Sequence, residues 1–290
     1  MAIKHRYLQA NGIQLHYVTD GTDGSGPLML FLHGFPECWY SWRHQLEAFA
    51  ADYTVVAIDM RGYNDSDKPK GKSAYKMTEL VKDVEGVIRA LGYEQCVLVA
   101  HDWGGAIAWQ FAYTHPGLLS HLIVLNLPHP AKFAAGLHTL EQLRRSWYIG
   151  LFQIPWLPEQ LLSADNYTAI RKIFKESAIN PKAFTEKDLD VLVSAAAKPQ
   201  ALTSMLNYYR NLPSNLFAKK EWDVLTVPTL MVWGENDVAL GKELTYGTEE
   251  YVKDLTLHYI PNCSHWVQQE QPSLVNSHIK TFLNASTVSA

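Results

Sequence analysis

Short, uninterrupted apolar runs recur along the chain and predict a buried sheet. Such runs, without polar alternation, are typical of strands covered on both faces, as in a parallel sheet. They lie at residues 28–32, 53–58, 95–100, 119–125, 227–233 and 255–260. Ahead of them, Asn11 and Gly12 separate two alternating runs within residues 6–20, which predicts a β-hairpin.

Helical patterns lie between most of these runs. Residues 77–91 carry apolar side chains at helical spacing and are followed by Gly92, a common helix stop. Residues 103–114 form a second such segment, which ends before Pro116 and Gly117. The alternation of strand and helix predicts an α/β fold with a mostly parallel sheet flanked by helices.

The rhythm changes between about residues 130 and 222, where no strand is apparent and helical segments are broken by prolines. Alternation then resumes to about residue 284. We therefore predict a core domain made of residues 1–129 and 223–290, and an inserted helical cap domain of residues 130–222. The cap is expected to cover the carboxyl edge of the sheet, where such sheets bind ligands.

Composition narrows the class of protein. Of 290 residues, 47% are apolar and 19% are charged, as in a globular enzyme. The net charge of −4 and the absence of long basic runs argue against a nucleic-acid partner. No apolar stretch is long enough for a membrane span, so no membrane association is expected.

Cysteine usage and the first residues bear on location. Cys38, Cys96 and Cys263 are odd in number and widely spaced, which predicts reduced thiols rather than a disulfide framework. The first residues lack the apolar segment of a secretion signal. The expected location is cytoplasmic.

The stretch VLVAHDWGGA at residues 97–106 joins a predicted strand to a predicted helix through a tight turn at Asp102. Small residues, Ala100 and Gly104, lie two places to either side. This is the layout of a nucleophile elbow, in which a serine or cysteine is the more familiar central residue. A carboxylate in that position is the first indication of unusual chemistry.

Other polar residues follow predicted strands and should meet Asp102 at one edge of the sheet. Asp237 follows the run at 227–233, and His265 follows the final strand. Taken singly, each has a structural explanation: either aspartate could cap a helix, and the histidine could be structural. The joint order nucleophile, acid, histidine is that of the α/β-hydrolase fold and favours a catalytic triad.

Five segments resemble the soluble epoxide hydrolases, cap-bearing α/β-hydrolases related to the haloalkane and haloacetate dehalogenases. They are HGFPE (33–37), DMRGYNDSDKP (59–69), HDWGG (101–105), WGEND (233–237) and CSHWVQQEQP (263–272). The resemblance extends over about residues 6–284. HDWGG alone does not separate the two activities, because both use an aspartate nucleophile.

Two tyrosines in the cap favour the epoxide hydrolases. Tyr148, five residues before a glutamine, and Tyr209, in NYYRN, match the family's pair of proton donors. Opening an epoxide leaves an alkoxide that needs an acid, and a phenol with a pKa near about 10 stays protonated at neutral pH. Tyr208 is a competing position, but adjacent helical side chains point about 100° apart, so only one of the two should face the cleft.

The resemblance implies further roles around the triad. The backbone N–H groups of Phe35 and Trp103 would form the oxyanion hole, and the side chains of these two residues and Trp156 would contact substrate. His33 and Glu37 would support the site. His101 is expected to pack or to form hydrogen bonds rather than to act as a base.

Some relatives carry the acid just after the strand that precedes the cap. Here that position holds Asn126, which has no carboxylate, so Asp237 remains the expected acid. The twelve histidines include no HExxH pattern and no close Cys/His cluster, so neither a metal nor a cofactor is expected.

The expected activity is conversion of a small hydrophobic epoxide and water to a vicinal diol, through a covalent ester on Asp102. A dehalogenase with the same nucleophile remains an alternative. So does a non-catalytic ligand-binding α/β-hydrolase, although such a protein would be expected to lack the nucleophile or His265. The chain is expected to be a monomer or a homodimer.

Overall fold

The computed structural model describes residues 3–20, 26–216 and 221–287. In these residues, eight strands form one sheet in the order β1-β2-β4-β3-β5-β6-β7-β8. The strands are β1 (Lys4–Ala10), β2 (Ile13–Thr19), β3 (Leu28–Leu32), β4 (Thr54–Ile58), β5 (Cys96–His101), β6 (Leu119–Leu125), β7 (Thr229–Gly234) and β8 (Leu255–Ile260).

The sheet is parallel from β4 across to β8, and β1 and β2 form the antiparallel hairpin that adds to β4. Strands β3, β4, β5 and β7 are buried along their whole length, as their uninterrupted apolar sequences predict. The register pairs Leu32 with Ile58 on one side and with Ala100 on the other. The ends of β3 and β5 therefore lie side by side, which brings the segment 33–37 to the turn at Asp102.

Helices flank the sheet and fill the insertion between β6 and β7. They are α1 (Arg43–Phe49), α2 (Met77–Ala90), α3 (Trp103–Thr114), α4 (Pro130–Gly136), α5 (Leu140–Arg145), α6 (Trp147–Phe152), α7 (Leu157–Ser177), α8 (Glu186–Ala196), α9 (Ala201–Leu216), α10 (Val267–Glu270) and α11 (Pro272–Thr287). The predicted helices at 77–91 and 103–114 correspond to α2 and α3. The predicted α/β-hydrolase fold is confirmed.

Helices α4 to α9 make up the helical insertion, residues 130–216. Its longest helix, α7, is broken at residues 164–167, where the backbone leaves the helical conformation. Among the helices that the structure describes, none is both long and apolar enough to cross a membrane. The insertion contacts the carboxyl edge of the sheet directly: the Tyr208 hydroxyl donates to the backbone carbonyl of Arg61 at 2.7 Å.

Candidate active site

Asp102 occupies a sharp turn between β5 and α3, with φ 49° and ψ −121°. Two glycines allow the chain to pack tightly around it. A Cβ on Gly104 would lie 2.3 Å from the Leu32 carbonyl oxygen, and one on Gly34 would lie 2.4 Å from Cβ of Asp102. Because neither approach leaves room for a methyl group, glycine is required at both positions, and Asp102 is held in a crowded, fixed turn.

The structure brings Asp102, Asp237 and His265 together. His265 Nδ1 lies 2.6 Å from Oδ2 of Asp237, and its Nε2 lies 3.6 Å from Oδ2 of Asp102. The other oxygen of Asp237 accepts from the N–H groups of Ala239 at 2.8 Å and Leu240 at 2.9 Å. The imidazole therefore lies between two carboxylates, one of which is fixed by backbone amides.

The charges of these three groups shift one another's pKa values. Burial alone would raise the pKa of Asp102 and of Asp237, but contact with His265 and with neighbouring hydrogen-bond donors together outweighs burial and holds both pKa values below their usual range. Burial opposes protonation of His265, yet the carboxylates of Asp237 and Asp102 together hold its pKa well above the ordinary value. In the free site these contacts therefore favour ionised aspartates and the protonated form of His265.

The backbone N–H of Phe35 donates to Oδ1 of Asp102 at 2.8 Å. Trp103 is the first residue of α3, where backbone N–H groups have no carbonyl partner within the helix. The two amides predicted for an oxyanion hole thus come from the segments that flank the Asp102 carboxylate, and one of them already binds it.

Glu37 ties the segment 33–37 to the rest of the site and is fully buried. One carboxylate oxygen accepts from the N–H of Gly34 at 2.8 Å and faces Nδ1 of His101 at 2.8 Å. The other accepts from the side-chain amides of Gln268 at 3.0 Å and Gln269 at 2.9 Å. Glu37 therefore connects three parts of the site: the loop at residues 33–37 that contains Phe35 (the Phe35 loop), the end of β5 next to the elbow, and α10.

Both ring nitrogens of His101 face acceptors: Nδ1 the carboxylate of Glu37, and Nε2 the backbone carbonyl of His265 at 2.9 Å. His33 differs, because its Nδ1 donates to the Gly34 carbonyl while Nε2 accepts from the N–H of Met60. Burial lowers the pKa of His33, in keeping with a neutral ring that holds the loop.

Tyr148 in α6 and Tyr209 in α9 meet above the elbow, with ring centroids 5.9 Å apart. Tyr208 points elsewhere, since its hydroxyl donates to the Arg61 carbonyl. The side-chain amide of Gln153 donates to the Tyr209 carbonyl at 2.9 Å and so links α6 to α9. The glutamine five residues after Tyr148 thus connects the two helices that carry the tyrosines.

Burial raises the pKa of both Tyr148 and Tyr209, and the negative charge of Asp102 raises each further. The Tyr209 ring packs edge-on against Trp103 with centroids 5.0 Å apart and against Phe35 at 5.3 Å. Because their pKa values are raised, both phenols stay protonated at neutral pH, as a proton donor must.

Asp102, Trp103, Tyr148 and Tyr209 all line a cavity of about 1150 Å³. Apolar side chains make up much of the rest of its wall, including Leu127, Phe133, Ile149 and Leu212. Among the described residues, no group of three or more His, Cys, Asp or Glu side chains is placed to hold a metal ion.

The structure does not bring every predicted substrate contact to this cavity. The Trp156 side chain is 66% exposed and is not among the residues that line the cavity. Trp156 precedes α7 with φ 55°, a left-handed conformation that a local pattern does not reveal. Phe35 is buried and packs on Tyr209, but it also lies outside the cavity lining.

Asn126 has a role in the site that the sequence did not reveal. Its Nδ2 donates to Oδ2 of Asp237 at 2.8 Å, and its Oδ1 accepts from the N–H of Gly234 at 2.9 Å. The sequence did contain a signal for this role, namely the position of Asn126 directly after the strand that precedes the insertion. The alternative acid position therefore holds an amide that binds the acid instead.

Comparisons with known proteins agree with this geometry. Residues 27–272 match the α/β hydrolase fold family. The chain is 44% identical to epoxide hydrolase 1 of Caenorhabditis elegans, over 96% of this chain and 70% of that protein. It is 42% identical to human epoxide hydrolase 4, over 97% of this chain and 78% of that protein.

Among solved structures, an epoxide hydrolase from Bacillus megaterium in complex with an inhibitor superimposes with a TM-score of 0.90. It is 37% identical, and the match covers 96% of this chain and 100% of that one. The chain belongs to the α/β hydrolase fold family and, within it, to the epoxide hydrolases.

Proposed function

We propose that this protein converts an epoxide and water to a vicinal diol through an ester on Asp102. The observation that carries the proposal is a single cavity lined by the elbow carboxylate and by two protonated tyrosines. The carboxylate supplies a nucleophile, and the phenols supply the proton that an opening epoxide ring requires.

A carboxylate suits this reaction better than a serine. The electrophile is a saturated carbon, so attack by a serine would leave a stable ether. Attack by Asp102 leaves an ester, whose carbonyl carbon can accept a water molecule. The nucleophile therefore provides the group that makes its own release possible.

In the first step, an oxygen of Asp102 forms a bond to one ring carbon as the bond from that carbon to the epoxide oxygen breaks. Tyr148 or Tyr209 gives its proton to the departing oxygen, which becomes a hydroxyl group. Acid assistance of this kind contributes about 10²- to 10⁴-fold in rate.

Ester formation also prepares the second step. The ester removes the negative charge of Asp102, one of the two carboxylates that raise the pKa of His265. The pKa of His265 then falls, and His265 transfers its proton to the tyrosinate formed in the first step. Neutral His265, held by Asp237, can now accept a proton from water.

The activated water attacks the ester carbonyl, and the N–H groups of Phe35 and Trp103 stabilise the resulting oxyanion, at roughly 3–4 kcal/mol for each donor. As the intermediate collapses, the bond between the ester carbonyl carbon and the diol oxygen breaks, and protonated His265 gives that oxygen a proton. The Asp102 acid then ionises and returns a proton to His265, which restores the free site.

The finer features are part of the proposal. Residues 1–129 and 223–290 would form the core domain and residues 130–222 the cap domain; the limits 1 and 290 lie outside the described residues. The apolar wall supports a hydrophobic epoxide as substrate. The three cysteines are unpaired and buried, in keeping with a cytoplasmic location. A monomer and a homodimer both remain compatible with the site.

A single turnover in ¹⁸O-labelled water tests the ester. With enzyme in excess over an aryl epoxide, the first diol should carry unlabelled oxygen and the label should appear in the Asp102 carboxylate. Label found directly in the first diol would contradict the covalent scheme.

Two variants complete the experiment. His265→Gln should accumulate the ester, visible as an increase in intact mass equal to that of the substrate, whereas Asp102→Ala should show neither ester nor diol. A dehalogenase would instead release halide from haloalkanes and form little diol.

A further inference from the structure

Helix α5 carries two side chains that bind the backbone of the loop that presents Asp237. Gln142 is only 3% exposed and uses both ends of its amide: Nε2 donates to the Ala239 carbonyl at 2.8 Å, and Oε1 accepts from the N–H of Gly241 at 3.1 Å. Arg145 donates from Nη1 to the Asp237 carbonyl at 2.7 Å. Three hydrogen bonds therefore join α5 to residues 237–241.

The backbone that α5 holds is the backbone that orients the acid. Within residues 237–241, the N–H groups of Ala239 and Leu240 bind Oδ1 of Asp237 and leave Oδ2 facing His265. Gln142 binds the carbonyl of Ala239 and the amide of Gly241. It therefore holds the backbone on both sides of Leu240, whose N–H group binds this carboxylate. A shift of α5 would therefore change the geometry between Asp237 and His265.

The same helix leads directly to the tyrosine. Ser146 alone separates α5 from α6, and its hydroxyl accepts a second hydrogen bond from Nε2 of Gln142 at 2.9 Å. Tyr148 is the second residue of α6. Gln142 thus contacts both the loop at residues 237–241 and Ser146, which connects α5 to the helix that carries Tyr148.

We infer that Gln142 and Arg145 form a clamp that positions Tyr148 for ring opening and Asp237 for ester hydrolysis at the same time. Both are positioning residues, because they act through the backbone and through neighbouring side chains. The assignment of the two steps rests on the proposed function, whereas the clamp itself rests on the hydrogen bonds. Its signature is a coupled loss: Tyr148→Phe should slow only ring opening and Asp237→Asn only hydrolysis, but a loosened clamp slows both.

Four variants separate the clamp from general effects on the helix. Gln142→Met keeps the length of the side chain and removes both amide contacts. Arg145→Met removes the donor to the Asp237 carbonyl, and Arg145→Lys keeps one. Arg144→Met is the matched control, because Arg144 is the exposed neighbour of Arg145 on the same helix.

Stopped-flow single turnovers measure the two steps separately. Ring opening and ester hydrolysis should each slow by about tenfold in Gln142→Met and in Arg145→Met, a typical result of misplacing reacting groups by less than an ångström. Arg145→Lys should recover most of both rates, and Arg144→Met should stay within about twofold of the wild type. Slowing of one step alone, or equal slowing in Arg144→Met, would overturn the inference.

Hydrogen–deuterium exchange gives a readout that needs no substrate. The Gly241 amide and the amides of residues 146–150 should exchange faster in Gln142→Met and Arg145→Met, with β3 and β5 unchanged. Unchanged exchange at residues 237–241 would overturn the clamp even if epoxide is turned over.

Failure of the proposed function can be told apart from failure of the clamp. A wild-type protein that forms no diol would refute the proposed function, while the exchange experiment would still decide the clamp. If Gln142→Met fails to fold, the Arg145 variants give the answer.

Discussion

Asn126 Nδ2 lies 2.8 Å from Oδ2 of Asp237, the same oxygen that faces His265 Nδ1 at 2.6 Å. Two donors therefore converge on one carboxylate oxygen, and neither adds a negative charge. The amide supports the acid from a position where a second carboxylate would compete with it.

Asn126→Asp should make ester hydrolysis strongly pH-dependent. Two carboxylates within hydrogen-bonding distance cannot both ionise readily, so the pair should hold a proton near neutral pH. With that proton bound, His265 loses part of its orienting charge, and hydrolysis should slow and then recover as the pH rises. The backbone should tolerate the change, because aspartate, like asparagine, accepts the positive φ of 41° found here.

The control is Asn126→Gly, which removes the amide without adding charge. Its deficit in hydrolysis should not vary with pH over the range where the Asn126→Asp rate changes. The proposal for Asn126 would be wrong if Asn126→Asp hydrolysed the ester at the wild-type rate at every pH.

Replacing Tyr148 or Tyr209 by phenylalanine should slow ring opening and leave hydrolysis of a preformed ester unchanged. Each phenol supplies part of the acid assistance, so the double variant should lose about 10²- to 10⁴-fold in the ring-opening rate. Stopped-flow single turnovers report this step directly.

Tyr208→Phe is a matched control, because Tyr208 lies next to Tyr209 but its hydroxyl binds the Arg61 carbonyl. Loss of this buried hydrogen bond should lower the free energy of unfolding by about 1–3 kcal/mol and spare the rate of ring opening. A Tyr208→Phe variant as slow as Tyr209→Phe would show that the wrong tyrosine has been assigned.

The two steps should respond differently to pH. The pKa of Asp102 is lowered and those of both tyrosines are raised, so ring opening should stay level from about pH 5 to about pH 9. Hydrolysis requires neutral His265, whose pKa the charge of Asp237 raises. Its rate should therefore rise with pH through that pKa and then level off.

Asp237→Asn tests the sign of this effect. Removing the negative charge lowers the pKa of His265, so the inflection in the hydrolysis rate should move to lower pH. The plateau should also fall by as much as about 10⁴-fold, because the carboxylate no longer holds the ring with Nδ1 protonated. An inflection that moves to higher pH would contradict the assignment.

Gly34→Ala should disturb the nucleophile through a steric effect. The added Cβ would lie 2.4 Å from Cβ of Asp102, so the elbow or the Phe35 loop must shift. We expect a loss of about 1–3 kcal/mol in the free energy of unfolding, measured in urea, together with slower ring opening. Gly117→Ala is the control, since a Cβ there meets nothing within 4 Å; equal effects in both variants would refute the crowding argument.

Local patterns predicted the sheet and the elbow well. The predicted helix at 103–114 has the bounds of α3, and the predicted strand at 95–100 differs from β5 by one residue at each end. Buried strands and their adjoining turns leave strong signals, because burial on both faces requires uninterrupted apolar residues. The carboxyl ends of parallel strands then bring distant polar residues together without further information.

The side-chain contacts of the helical insertion were harder to predict from the sequence. Trp156 was expected to contact substrate; in the structure its side chain is 66% exposed, and the residue has a left-handed backbone conformation just before α7. Gln142 gave no sign of its role, since the groups that it binds in residues 237–241 are backbone groups nearly a hundred residues away. Contacts of that kind depend on how short helices pack together, which periodicity does not specify.

The apolar wall of the cavity bears on the end of the catalytic cycle. Hydrolysis converts an epoxide with one oxygen atom into a diol with two hydroxyl groups, the second oxygen coming from Asp102, in surroundings that include Leu127, Phe133 and Leu212. A hydroxyl group taken out of water without a hydrogen-bond partner costs about 1–3 kcal/mol. A diol hydroxyl that faces this apolar part of the wall, away from Asp102, Tyr148 and Tyr209, lacks such a partner, so we expect the wall that admits the substrate to favour departure of the product.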